Sequence, residues 1–319
     1  MTSNRLLANS LRKYLRRTTI LAAMLFFVMF SMAAGAEENV KVTEIASNVI
    51  VFSTSTGNVV ASVGSDGALL VGTPSASSTQ QINSILKSRT KSVFRYVVIG
   101  PEPEDESQGD AGWGQLGAFV AMQENALHRL GGSMMGKSAP LPASFIKLGV
   151  ERPHIAFSEV LSFDLNGEAI HIVHQAPGYS NADTITHFHV ANVVYLGEVF
   201  PGDGYPKIDP AQGGTLAGLL KTLESWTGSQ FRIVPARGEV TNGATVKAFL
   251  DMISTVRDRI KRLIKEGKME AQIVAAHPTS DFDKRWGNGR ISPDLFVHEI
   301  YSGLKQPLPS QKSKKPASQ

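Results

Sequence analysis

The chain has 319 residues, 42% hydrophobic, 19% charged and 8% aromatic, with 29 Gly, 16 Pro and no Cys. That composition is globular, so wholesale disorder and a disulfide scaffold are excluded. Without a thiol there is no cysteine nucleophile, thiolate metal site or redox switch. The formal charge of +4 comes from the ends: five basic residues precede Glu37 and four lie from Lys305 onward, with no acid in either stretch. Residues 37–304 carry 23 basic against 28 acidic side chains. A mildly acidic body excludes the basic footprint of a nucleic-acid binder.

Arg5, Arg12, Lys13, Arg16 and Arg17 precede an apolar run from Ile20 to about Met32, followed by Ala34-Gly35-Ala36 and Glu37-Glu38. A basic stretch, a short apolar run and an A-x-A site form the layout of a secretory signal peptide, residues 1–36, cleaved after Ala36. The reading is export, periplasmic or secreted, with no membrane span in the mature chain. The alternative is an uncleaved anchor, although the run is short for a span of ~20 residues. Arg16-Arg17 suggests a twin-arginine signal, but Thr18-Thr19-Ile20 continues it poorly. At the other end, residues 305–319 form a basic tail rich in Pro, Ser and Lys, expected to be solvated and disordered.

The mature chain opens with short apolar strands over Val40–Ile45, Asn48–Ser53, Asn58–Val63 and Ala68–Val71, punctuated by Gly57 and Ser65-Asp66-Gly67. Gln80–Ser88 has helical spacing, and Phe94–Ile99 is the continuous apolar run of a buried strand. A Gly, Pro and acid-rich loop from Gly100 to Gly114 precedes a strand near Ala118–Met122 and a helix near Gln123–Leu130. Gly131–Arg152 reads as a long loop. Strands then recur at Ala156–Asp164, Ala169–His174, Thr184–His189 and Val193–Glu198, with Asn166-Gly167 a strong hairpin turn. Helices follow at Thr215–Trp226, Ala244–Glu266 and Pro293–Leu304, with a short strand Phe231–Pro235 between the first two. Two halves, each strands first and helices after, predict an α/β sandwich: two mixed sheets face to face with helices outside, one domain over residues 37–304.

Several fragments, in this order, resemble the metallo-β-lactamase superfamily. They are Gly57–Thr73 (GNVVASVGSDGALLVGT), Arg95–Ile99, Gly117–Asn125 (GAFVAMQEN), Ala176–Asp183 (APGYSNAD), Val193–Phe200 (VVYLGEVF) and Arg232–Val240 (RIVPARGEV). Tyr205–Gly214 (YPKIDPAQGG) is similar to a branch with exported hydrolase-like members. The resemblance spans roughly Asn48 to Leu263 and implies the αββα sandwich and a dinuclear zinc hydrolase. Its first ligand loop, H-x-H-x-D-H, aligns with Glu102-Pro103-Glu104-Asp105-Glu106-Ser107. Glu102 and Glu104 stand where two His would, Glu106 where the Asp would, and Ser107 where the last His would. The later ligands fall on Tyr179, Glu198 and Arg237, and the Asp that commonly ends the early strand is Gly72.

Zinc takes about four N, S or O ligands at ~2.0–2.3 Å, usually with imidazoles. None remains at the aligned positions, and Arg237 sets a permanent cation where a metal would sit. Without zinc nothing lowers the pKa of a bound water from ~15.7 to ~7. The residues therefore imply no metal, no cofactor and no catalytic residue. They leave seven vacated positions: Glu102, Glu104, Glu106, Ser107, Tyr179, Glu198 and Arg237. The acids, Tyr179 and Arg237 are expected to converge, with Arg237 paired to a carboxylate in place of a metal.

Other constellations are weaker. The acids Glu102, Glu104, Asp105, Glu106 and Asp110 suit a hard cation, but the spacing is no EF-hand, and a solvated acidic loop is the simpler reading. His187 and His189 share one face of a strand, away from the aligned site, while His171 and His174 face opposite sides. His128, His154, His277 and His298 stand alone. No phosphate loop is present.

The leading reading is an exported pseudoenzyme or binding protein for an unknown small molecule or protein. The alternatives are a hydrolase with a rebuilt carboxylate site, one buried Glu serving as base, and an interaction protein using Met134-Met135 and Leu141–Ile146 as an adaptable apolar surface.

Overall fold

The computed structural model describes residues 40–72, 76–93, 95–100, 113–114, 116–129 and 153–305. Glu102, Glu104, Glu106, Ser107, the Gly131–Arg152 loop, the N-terminal segment and the tail beyond Lys305 lie outside the described residues.

The first sheet has seven strands in chain order: β1 (Lys41–Glu44), β2 (Val49–Ser53), β3 (Asn58–Gly64), β4 (Gly67–Val71), β5 (Arg95–Ile99), β6 (Phe119–Gln123) and β7 (Ile155–Phe157). β1 to β4 form an antiparallel meander, and β4 to β7 run parallel. The second sheet holds β8 (Val160–Leu165), β9 (Glu168–His174), β10 (Thr184–Phe188), β11 (Val193–Gly197), β12 (Arg232–Pro235) and β13 (Thr241–Asn242), also in sequence order across the sheet. It too is mixed: β8 to β11 are antiparallel, and β11 pairs with β12 in parallel. Each meander is followed by a parallel strand reached through a helix, α1 (Ala76–Arg89) in the first half and α3 (Leu216–Glu224) in the second.

Side chains alternate across each sheet, which builds three apolar layers. Val49, Val51, Val60, Leu69 and Val98 face Ile170, Ile172, Phe188, Val193 and Val234 between the sheets. The alternate residues Ile50, Phe52, Val59, Leu70 and Val97 meet Ile82 and Leu86 of α1 and Leu127 of α2 (Glu124–Arg129). On the far side Val194, Leu196 and Ile233 meet Leu219 and Leu223 of α3. They also meet Val246, Phe249, Ile253, Val256 and Ile260 of α4 (Gly243–Lys265), whose spacing is that of one helix face. Polar caps fix where these helices start: Thr215 Oγ1 accepts from Gly218 N at 3.0 Å, and Asn242 Oδ1 from Thr245 N at 3.2 Å. Two mixed sheets lie between helices, as expected from the two halves of the sequence.

Three features differ from the sequence reading. The single strand expected at Ala156–Asp164 is two: β7 ends at Phe157, and Ser158-Glu159 carry the chain to the other sheet, where β8 begins. Apolar residues run through both segments, so periodicity does not mark the switch. Two short helices, α5 (Glu270–Ala275) and α6 (Asp283–Trp286), precede α7 (Pro293–Lys305). The two-residue strand β13 closes the second sheet. Among the described residues no helix is long and apolar enough to cross a membrane.

Candidate functional site

The ends of β4, β11 and β12 meet at one rim of the sandwich. Arg237 follows β12, and its backbone is held before its side chain is used. Ala236 N donates to Phe200 O at 3.1 Å and Arg237 N to Pro201 O at 2.9 Å, so the Phe200–Pro201 turn lies against it. Gly202, at φ 85°, passes close by; a Cβ there would stand 2.3 Å from Arg237 O. From the first sheet, Asn58 Nδ2 donates to Pro235 O at 3.0 Å and Gly238 O at 2.9 Å, while its backbone N donates to Ala236 O at 2.7 Å. One asparagine thus pins the Arg237 turn to the β2–β3 hairpin.

The guanidinium is then committed. Nη1 and Nη2 donate to the two oxygens of Glu198 at 2.6 and 2.9 Å, a bidentate fork. Nε donates to Asp203 Oδ2 at 3.1 Å. The Arg237 and Glu198 side chains are only 13% and 10% exposed, Asp203 34%. Burial works against the charge of Arg237. The bonds to Glu198 and the charges of Glu198 and Asp203 outweigh that effect and hold the guanidinium protonated more firmly than usual.

Gly72 closes the opposite side. Its φ of 110° suits only glycine, and a Cβ there would meet Asn58 O at 2.9 Å and the Tyr195 hydroxyl at 3.1 Å. No acidic side chain fits at this strand end. Between Gly72, Val98, Asp183, Tyr195 and Glu198 lies a cavity of about 20 Å³, room for about one water. A larger space lies beside Arg237. It is an open groove of about 590 Å³, lined by Thr43, Thr54, Asn58, Asp203, Arg237 and Glu239 among others.

Tyr179 sits in the neighbouring loop and lines neither space. Its side chain is buried, with Lys207 Nζ 5.7 Å from the ring centroid. That loop is organised by Asp183, which sequence reasoning passed over. Its carboxylate accepts from the backbone N–H groups of Gly178, Tyr179 and Ser180 at 2.8–2.9 Å and from Ser180 Oγ at 2.9 Å. Burial pushes the Asp183 carboxyl up to about 6 against these four bonds, which pull it down. Asp203 was likewise missed. It follows Glu198 by five positions, in a loop without a motif to mark it.

A zinc ion needs neutral or anionic donors converging on one point. Here both oxygens of Glu198 point into a cation, and Gly72 offers no side chain. Among the described residues no three His, Asp or Glu side chains form a group able to hold a metal ion. Among the described residues, those at this rim do not fit zinc.

No family model and no curated protein sequence matches the chain. Solved structures do. The DIM-1 metallo-β-lactamase aligns at 11% identity over 69% of this chain and 99% of its own, with a TM-score of 0.54. A metallo-β-lactamase from Pontibacter korlensis aligns at 13% identity over 68% and 99%, with a TM-score of 0.52. VMB-1 aligns at 12% over 69% and 98%, also at 0.52. Sequence identity this low speaks for architecture alone. The protein has the metallo-β-lactamase fold, with an arginine–carboxylate cluster at the sheet rim where Glu198 and Arg237 meet.

Proposed function

We propose that the protein is an exported, non-catalytic member of this fold, its zinc site replaced by the Glu198–Arg237–Asp203 cluster and its groove used for binding. The carrying observation is the fork of Arg237 on Glu198, which satisfies both carboxylate oxygens with a permanent cation. That arrangement repels a metal ion and engages one lone pair on each oxygen of Glu198. It speaks equally against Glu198 as the base of a rebuilt carboxylate hydrolase. The groove beside Arg237 has the volume of a small-ligand site, and the signal layout of residues 1–36 supports export. The test is turnover of a chromogenic β-lactam by the mature chain, with and without added zinc. Background hydrolysis in both conditions is expected; zinc-dependent, chelator-sensitive turnover would contradict the reading.

A further inference from the structure

Three histidines gather on the helix-covered face of the second sheet. His171 on β9 and His187 on β10 are direct cross-strand partners, and His189 lies two residues beyond His187 on the same face. The His187 and His189 rings are 3.9 Å apart between centroids, and those of His171 and His189 4.6 Å. His189 Nε2 and His171 Nδ1 share a hydrogen bond at 3.1 Å, which requires one of the two nitrogens to be bare.

His187 is the half-buried member. Trp226, just past α3, and Phe231, just before β12, pack edge-on against it at 5.5 and 5.7 Å, and against each other at 5.2 Å. His187 Nε2 and Trp226 Nε1 are both buried without a hydrogen-bond partner. An imidazolium at position 187 would therefore carry an unpaired N–H into an apolar pocket.

The charged groups acting on the cluster are few. From β10 and the turn after it they are His187 and His189, and from β9 His171 and Glu168. Glu168 is spent largely on the backbone, accepting from Val190 N and Ala191 N at 3.0 and 3.3 Å. The facing groups beside α3 and β12, Trp226 and Phe231, carry no charge.

We propose that His171, His187 and His189 form a proton-operated clasp that holds the corner between α3 and β12 while neutral and releases Trp226 and Phe231 on acidification. Burial, then repulsion from His189 and His171, lowers His187 to about 4, and burial with repulsion from His171 also lowers His189. The sign follows: above the ordinary value of ~6.5 the closed and released corners bind protons equally. As pH falls from there towards 4 only the released corner gains protons, so acid favours release. Release frees His187 and His189 together, so more than one proton is taken up in a single two-state change.

The test is a titration of the full chain from pH 7.5 to 4, read by Trp226 fluorescence (the difference from a Trp226→Phe chain) and by far-UV circular dichroism. The expected result is a fluorescence change centred between pH 4 and 6, steeper than one proton, with the circular dichroism constant. His187→Phe, which keeps a ring without a titration, should flatten it. His171→Gln, at an exposed position, removes part of the repulsion that sets the closed corner apart, so it should move the midpoint downward and reduce the slope. A flat native titration, loss of secondary structure in step with fluorescence, or a profile unchanged in either variant would overturn the proposal. Should His187→Phe fail to fold, the His171→Gln profile decides.

Discussion

Arg237 and Glu198 depend on each other unequally. Arg237→Ala leaves a carboxylate that is 10% exposed without its fork, and we expect the unfolding free energy to fall by about 3 kcal/mol. Urea denaturation measures this directly. Arg237→Lys should recover part of the loss, since an ammonium supplies the charge but not two parallel donors. Arg237→His removes the fork and restores one imidazole among several missing ligands, so it should destabilise the protein without conferring zinc-dependent turnover. Asp183→Asn should cost about 2 kcal/mol, because an amide NH₂ would face donors that now meet an oxygen. At this scale the sequence is legible where a motif supplies an alignment, as for Glu198 and Arg237. It is silent where backbone geometry makes the site. Nothing in APGYSNAD marks Asp183 as the acceptor of three successive N–H groups, and Asp203 joins the cluster only because the Phe200–Pro201 turn folds against β12.

Among the elements, α7 carries another buried acid. Glu299 Oε2 accepts from Ile208 N at 2.8 Å, tying α7 to the Tyr205–Gly214 stretch. Tyr205 stacks on Phe296 of α7 at 4.5 Å and donates to Asp283 of α6 at 2.7 Å, adding two more ties. Burial pushes Glu299 up to about 7, so the fold favours its protonated form. Its contribution to stability is fully present below the ordinary carboxyl range near 4.5 and is lost as pH rises through 7. Glu299→Gln keeps an acceptor for Ile208 without the charge. We expect this variant to match the native chain near pH 4.5 and to exceed it by about 1–2 kcal/mol at pH 8, as seen in paired thermal melts. Strands and long helices are readable from short apolar runs between turn residues and from period 3.6, as Val49 to Phe52 and Val246 to Ile260 show. The short α5 and α6 are too brief for periodicity to declare them, and the step from β7 to β8 is a change of sheet that apolar content does not record.

Over the whole molecule, both halves repeat one plan: an antiparallel meander, a crossover helix, a parallel strand. That plan places the turn after β4, the Glu198 turn after β11 and the Arg237 turn after β12 at one rim, which is why residues 39 positions apart meet in the fork. The proposed export predicts a mature terminus at or near Glu37 by mass spectrometry; an intact Met1 would refute cleavage. The most direct test of the ion-pair site is elemental analysis of the purified, untagged mature protein after brief exposure to Zn²⁺, Mn²⁺ and Ca²⁺ and removal of free ions. A site filled by Arg237 predicts no stoichiometric metal. About two zinc ions per chain, the content of a dinuclear site, would contradict it.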